Sequence, residues 1–179
     1  MSSEDQPQGD TDVALLRRVS RIVNSDLSVD ELLGQIVVLT AQVSACDACI
    51  VYLLESATGD FVLRASQVPH PRIGNLRMQL GEGVTGWVAQ NHKPILNGNP
   101  SVEPGYLNDP TRYSTLRSAL AVPLEGKAGL VAVLALYRAG QDAFTKGELE
   151  AVEAVGARLG LAIESMGKSR TQGAAAGTN

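Results

Sequence analysis

Residues that hold metals or act as nucleophiles are scarce in this chain. Among 179 residues there are two cysteines and two histidines. A structural zinc site needs four ligands, so Cys46 and Cys49 would need both His70 and His92. Aromatic residues make up 4%. No apolar run approaches the ~18 residues of a membrane span, and no basic cluster is denser than Arg17-Arg18. With a net charge of −4 and a pI near 5.2, the chain carries no electrostatic footprint for nucleic acid. Residues 1–10 are polar and acidic, without the charged-then-apolar layout of a secretory leader. These absences predict a soluble cytoplasmic protein with no nucleic-acid or membrane partner. No histidine stands beside a cysteine or serine at a suggestive spacing, so nucleophilic catalysis has no visible constellation. The expectation is a protein that is not an enzyme and uses no cofactor.

What is present is a hydrophobic content of 44%, ample for one core, and a glycine-rich stretch around which the chain is organised. Leu80–Gln90 reads Leu-Gly-Glu-Gly-Val-Thr-Gly-Trp-Val-Ala-Gln. It predicts a strand, a tight turn and a short helix, with glycines where φ is positive or a neighbour is close. Val84, Trp87, Val88 and Asn91 fall at helical spacing and predict the face laid on a sheet. Gly81-x-Gly83-x-x-Gly86 also matches the dinucleotide fingerprint and, with Val88, the kinase glycine loop. Both readings need context. Pro94 stops the helix too early for a parallel crossover, and the kinase lysine, His-Arg-Asp and Asp-Phe-Gly segments are missing.

Taken in order, residues 1–10 read as a disordered tail. Thr11 caps a helix with Val13, Leu16, Val19, Ile22 and Val23 on one stripe. Ser28-x-x-Glu31 is a capping box opening a second helix. Residues 48–55 and 61–66 form a hairpin around the turn at 57–60. Strands are predicted at 75–80, 94–97, 118–124 and 128–138. Between them, residues 98–115 hold several prolines with Tyr106, Asp109, Arg112 and Tyr113, and read as a structured lid. Thr145-x-x-Glu148 opens the last helix. Leu149, Val152, Gly156, Leu159, Ile163 and Met166 make a coiled-coil-like seam along it. Residues 167–179 read as a flexible tail, leaving 11–166 as one domain.

Cys46-x-x-Cys49 closes a helix and enters a strand. A thioredoxin-like pair opens a helix, where the dipole favours the thiolate. The reading is of two buried, reduced cysteines. His92 reads as a surface cap at a helix end and His70 as solvated.

The order of elements and the run Leu-Gly-Glu-Gly-Val-Thr-Gly-Trp-Val-Ala-Gln-Asn-His-Lys-Pro-Ile resemble GAF domains. So do the Ser118–Pro123 strand and Phe144-Thr-x-x-Glu148. The resemblance spans about residues 13–166. It implies an α+β fold with a central antiparallel sheet of about six strands. The two N-terminal helices and the C-terminal helix would lie on one face. The short helix and a lid at 98–117 would cover a small-molecule pocket on the other. Candidate ligand contacts are Val84, Thr85, Trp87, Tyr106, Asp109, Arg112, Tyr113, Arg117 and Ser118, with the arginines meeting an anionic group. The blander assignment puts Trp87 in the core and the arginines in solvent. Members often dimerise through terminal helices, here along Leu149, Val152, Leu159 and Ile163, and would signal to a separate output protein. A module with an empty pocket that only dimerises is the alternative. A GAF-like methionine sulfoxide reductase is the enzyme alternative, but its reactive cysteines follow the glycine helix, and none follows Cys49 here. Bilin attachment lacks its lid cysteine, and the cyclic-nucleotide signature is interrupted at Asn91-His92-Lys93.

Overall fold

The computed structural model describes residues 8–103 and 115–175. Two helices, α1 (Gln8–Val23) and α2 (Val29–Val43), precede the hairpin β1 (Ala48–Leu54) and β2 (Phe61–Ser66). A short β3 (Arg77–Met78) leads into α3 (Gly83–Asn91), then β4 (Ile95–Gly98) and a 3-10 turn at Pro100–Val102. The hairpin β5 (Ser118–Glu125) and β6 (Leu130–Arg138) and the long α4 (Lys146–Ala175) complete the chain. The strands form one sheet in the order β3-β2-β1-β6-β5-β4, and every pairing is antiparallel. This is the α+β architecture expected from the sequence.

Alternation along the central strands builds two cores. Cys49, Val51, Leu120, Val122, Leu134 and Leu136 face one side, under Leu32, Leu33 and Ile36 of α2 and Val152, Val155 and Leu159 of α4. Ile50, Tyr52, Ala119, Ala121, Ala135 and Tyr137 face the other, with Val84, Val88 and Ala89 of α3. A period of two sends consecutive residues to opposite faces, so strands covered on both sides read as continuous apolar runs.

At two strand limits that differ from expectation, a carboxylate has taken the backbone. β3 stops at Met78 because the Gln79 N–H donates to Glu82 Oε2 at 3.0 Å. β6 starts at Leu130 because Lys127 and Ala128 donate their N–H groups to Glu164 at 2.9 and 2.8 Å. Helix α4 runs past Met166 to Ala175, since the single Gly167 costs only about 1 kcal/mol inside a helix.

Both capping boxes form. Ser28 N–H donates to Glu31 Oε2 at 2.8 Å, and Glu31 N–H to Ser28 Oγ at 3.3 Å. Thr145 N–H donates to Glu148 Oε2 at 2.9 Å, and Glu148 N–H to Thr145 Oγ1 at 3.2 Å. Glu148 also receives Arg138 at 2.5 Å and the Ser44 hydroxyl at 3.0 Å. Burial opposes ionisation of Glu148, but the bonds from Arg138, Thr145 and Ser44 outweigh it and bring its pKa down to about 2 from an ordinary 4.5. A native pKa below the unfolded one stabilises fully above pH 4.5, and that stabilisation is lost as pH falls toward 2. Acid unfolding followed by circular dichroism should therefore have a proton-linked component in that window, and Glu148→Gln should remove it. An unchanged acid profile in the variant would show that the Arg138–Glu148 pair does not hold α4.

Candidate functional site

The polar centre of the α3 face was not anticipated. Glu103, the last described residue before 104–114, is 0% exposed. Its Oε1 accepts the Thr85 N–H at 3.0 Å and the Tyr137 hydroxyl at 3.2 Å. Its Oε2 lies 2.8 Å from Thr85 Oγ1, whose other neighbour is Met78 Sδ at 2.6 Å. The carboxylate thus sits at the N-terminus of α3, where free N–H groups and the helix dipole favour negative charge. The N-cap residue, Glu82, makes no side-chain cap of its own. A negative group from outside the helix takes that role.

The glycine turn makes this approach possible. Gly81 and Gly83 have φ of 81° and 68°, values that side-chain-bearing residues avoid. A Cβ on Gly83 would stand 2.7 Å from Glu103 Oε2, so glycine there leaves room for the carboxylate.

Burial pushes the Glu103 carboxyl above its ordinary pKa, and the bonds from Thr85 and Tyr137 offset this only in part. The nearby Glu82 charge adds to the rise. Tyr137 and Tyr52 are also shifted upward, by burial first and by the Glu103 charge second. The Tyr52 side chain is 1% exposed and lies on the same face. Ala119, Ala121 and Ala135 lie on the same face. Their small side chains let α3 settle over β5 and β6.

The residues proposed from sequence are placed as follows. Val84 and Thr85 are buried on α3, and Thr85 belongs to the Glu103 cluster. Trp87 is 41% exposed. The buried face of α3 is Val84, Thr85, Val88 and Ala89, rotated from the expected Val84-Trp87-Val88-Asn91 stripe. Thr85 replaces Trp87 there because Glu103 satisfies its hydroxyl and N–H, and Trp87 is not core. Ser118 is buried, but its hydroxyl donates to the Gly140 carbonyl at 2.8 Å and accepts the Ala143 N–H at 3.4 Å. It closes the β6–α4 connection. Arg117 is exposed and donates to its neighbour's carbonyl, Leu116 O, at 3.0 Å. Tyr106, Asp109, Arg112 and Tyr113 lie outside the described residues. His92 ends α3 at φ 55°, its ring Nδ1 2.7 Å from Glu125 Oε1, a cap as expected.

The α4 seam faces inward. Val152 and Leu159 are 0% exposed and Ile163 5%, and Leu149 packs on the same core. These four residues are spent on the chain's own sheet. A sequence seam records that a helix face is covered, not which chain covers it. The outward face of α4 carries Leu161, 44% exposed, between the exposed Ala154, Ala157 and Ser165.

Neither Glu103, Tyr52 nor Tyr137 was singled out from sequence. The alternation in Cys49–Tyr52 held a signal, since it places Tyr52 on the face opposite the cysteine. Glu103 offered none. Among the described residues, no group of three or more His, Cys, Asp or Glu is arranged to hold a metal. No helix there is long and apolar enough to cross a membrane.

The sequence profile of the GAF domain matches residues 26–164. Among solved structures, the chain is similar to the GAF domain of a phosphoenolpyruvate-protein phosphotransferase (ptsP) from Coxiella burnetii. That likeness has TM-score 0.74 and 23% identity, over 91% of this chain and 96% of the other. The corresponding domain from Acinetobacter gives TM-score 0.74 and 23% identity over 96% and 99%. A free methionine-R-sulfoxide reductase from Neisseria meningitidis, solved with its substrate, gives TM-score 0.72 and 16% identity over 94% and 98%. At such identities the likeness establishes the fold. Among curated proteins none matches the sequence.

Proposed function

Because the chain belongs to the GAF domain family, whose members are generally sensory or regulatory, we propose that it is a non-enzymatic sensor. It binds a small molecule on the α3 face of the sheet, beneath the segment 98–117. The observation that carries this reading is the convergence of Glu103, Thr85, Tyr137 and Tyr52 in an otherwise apolar layer. Ligand sites combine apolar walls with a few aimed polar groups. The two thiols belong to the opposite face, with α2 and α4, which supports binding over the reductase chemistry of some relatives by fold.

Glu103 joins the α3 N-terminus to the stretch that ends β4 and the 3-10 turn, so a ligand that moves one moves the other. The output is a homodimer contacting a separate partner protein. Its interface uses the outward face of α4, around Leu161, since the inward face is filled. A ligand shifts the dimer only if it binds two helix arrangements with different affinity.

Native mass spectrometry of freshly purified protein, before and after denaturation, tests the reading. The expected result is a dimer carrying a small mass that denaturation releases. Tyr52→Phe should lower that occupancy by up to ~10-fold, the worth of one hydrogen bond. Full occupancy in Tyr52→Phe would move the ligand elsewhere, and an unliganded monomer would sink the dimer switch.

A further inference from the structure

Cys46 and Cys49 stand at the junction of α2 and β1, on the side of the sheet away from Glu103, and the sensor reading makes no use of them. Cys49 is 0% exposed in the helix-side core, while Cys46 is only partly buried. The Cys46 thiol reaches Gln67 Oε1 at 3.7 Å, the Gln67 N–H donates to the Cys49 carbonyl at 2.8 Å, and Cys46 packs on the core that holds Cys49. One cysteine is partly open to solvent, and the second, three residues on, is buried beside the same glutamine. That is the arrangement of an attacking thiol and a resolving thiol.

The neighbourhood favours the outer sulfur as thiolate. The hydrogen bond from Cys49 lowers the Cys46 pKa first, burial opposes it, and the Arg138 guanidinium lowers it further, against Asp47. Cys49 is shifted the other way, by that same bond and by burial. The C-terminal end of α2 disfavours a thiolate, and Arg138 counters it from across the loop. That side chain donates to the Ala45 carbonyl at 2.6 Å, the Ala143 carbonyl at 2.6 Å, and Glu148 at 2.5 Å. It therefore ties the cysteine loop to the first turn of α4.

We propose that Cys46 and Cys49 form a reversible dithiol–disulfide switch that reacts with hydroperoxides and reports to α4 through Arg138. The Cys46 thiolate attacks one peroxide oxygen. The O–O bond breaks, hydroxide (or alkoxide) leaves and takes up a proton, and Cys46 becomes a sulfenic acid. The Cys49 sulfur then attacks the Cys46 sulfur. The S–O bond breaks, water leaves with the Cys49 proton, and the S–S bond forms. The pair loses two electrons and two protons, and hydrogen peroxide becomes two waters. An external dithiol reverses the step by exchange. The new bond draws Cys46 toward the strand and reshapes residues 44–47, so the Ser44 and Ala45 contacts of Arg138 change.

The reduced protein, treated with hydrogen peroxide and freed of excess, should be ~2 Da lighter with no intermolecular link, and dithiothreitol should restore it. Cys46→Ser should abolish the change. Cys49→Ser, or Cys49→Ala if serine destabilises the core, should stop at a sulfenic acid ~16 Da heavier that dimedone traps. In the wild type, iodoacetamide should label Cys46 at least ~10-fold faster than Cys49. Amide exchange in residues 146–150 should rise on oxidation. Oxygen adducts without a disulfide, or a disulfide that forms only in urea, would overturn the switch. A disulfide that leaves α4 exchange unchanged would overturn its connection to the helix. None of these readouts depends on the ligand site under α3.

Discussion

Gly160→Ala is expected to destabilise the fold by about 3–5 kcal/mol, a large effect for one added methyl group. A Cβ at Gly160 would stand 2.2 Å from the Glu125 carbonyl oxygen and 2.6 Å from its carbonyl carbon and its nitrogen. All are backbone atoms, so no rotamer change relieves the overlap. Helix α4 would have to lift from β5, and one turn later Glu164 would lose its hold on the Lys127 and Ala128 N–H groups. Val152, Leu159 and Ile163 ride on the same helix and would open gaps at the sheet. Gly167→Ala is the control. It is helical and exposed, and a Cβ built there would meet nothing within 4 Å outside its own helix backbone, so alanine should stabilise by up to about 1 kcal/mol. Urea denaturation of both variants decides it. A Gly160→Ala loss under about 1 kcal/mol would mean that α4 does not seat on β5 this closely.

That contact also marks the limit of what the seam could reveal. The apolar spacing of α4 was legible, and so were the capping boxes that start α2 and α4, because both are local patterns within one or two turns. The two hairpins and the two-faced sheet were legible for the same reason. Whether the seam met another chain or the protein's own sheet was not. The deciding features are Gly160 and Glu164 against residues 125–128, some 35 positions away in sequence. The α3 face was read one step out of phase because Trp87 outranks Thr85 in hydrophobicity. Thr85 is the buried one, since a hydroxyl and an N–H cost little to bury when both are answered. Their answer, Glu103, belongs to a proline-flanked stretch with no periodic pattern. A buried carboxylate is invisible to any rule that places charges outside.

Glu103 is accordingly where the second large effect is expected. Glu103→Ala should cost about 2–4 kcal/mol, because it strips the acceptor from the Thr85 N–H and the Tyr137 hydroxyl, both buried, and leaves a void. Glu103→Gln should behave in the opposite way. Its amide oxygen can accept from Thr85 N–H and Tyr137, and its NH₂ can donate to Thr85 Oγ1, whose proton then turns to Met78 Sδ. The sign of the pH dependence separates these accounts. Burial holds the native Glu103 pKa above its ordinary value, so the folded chain binds this proton more tightly than the unfolded one. The group's favourable contribution is complete below the unfolded pKa and is lost as pH rises through the raised native value. Above the unfolded pKa this shift is a cost that glutamine avoids. The Tm of Glu103→Gln should therefore exceed that of the wild type at pH 7–8, with the gap closing toward pH 4. A gap that does not vary with pH would mean that the Glu103 pKa is the same folded and unfolded, and Glu103→Ala at wild-type stability would mean that it does not hold α3. A ligand that donates a hydrogen bond to the carboxylate would stabilise its ionised form. Binding of such a ligand should then strengthen as pH rises through the window in which the wild type loses stability to glutamine. That coincidence distinguishes a site that senses through Glu103 from one that merely tolerates it.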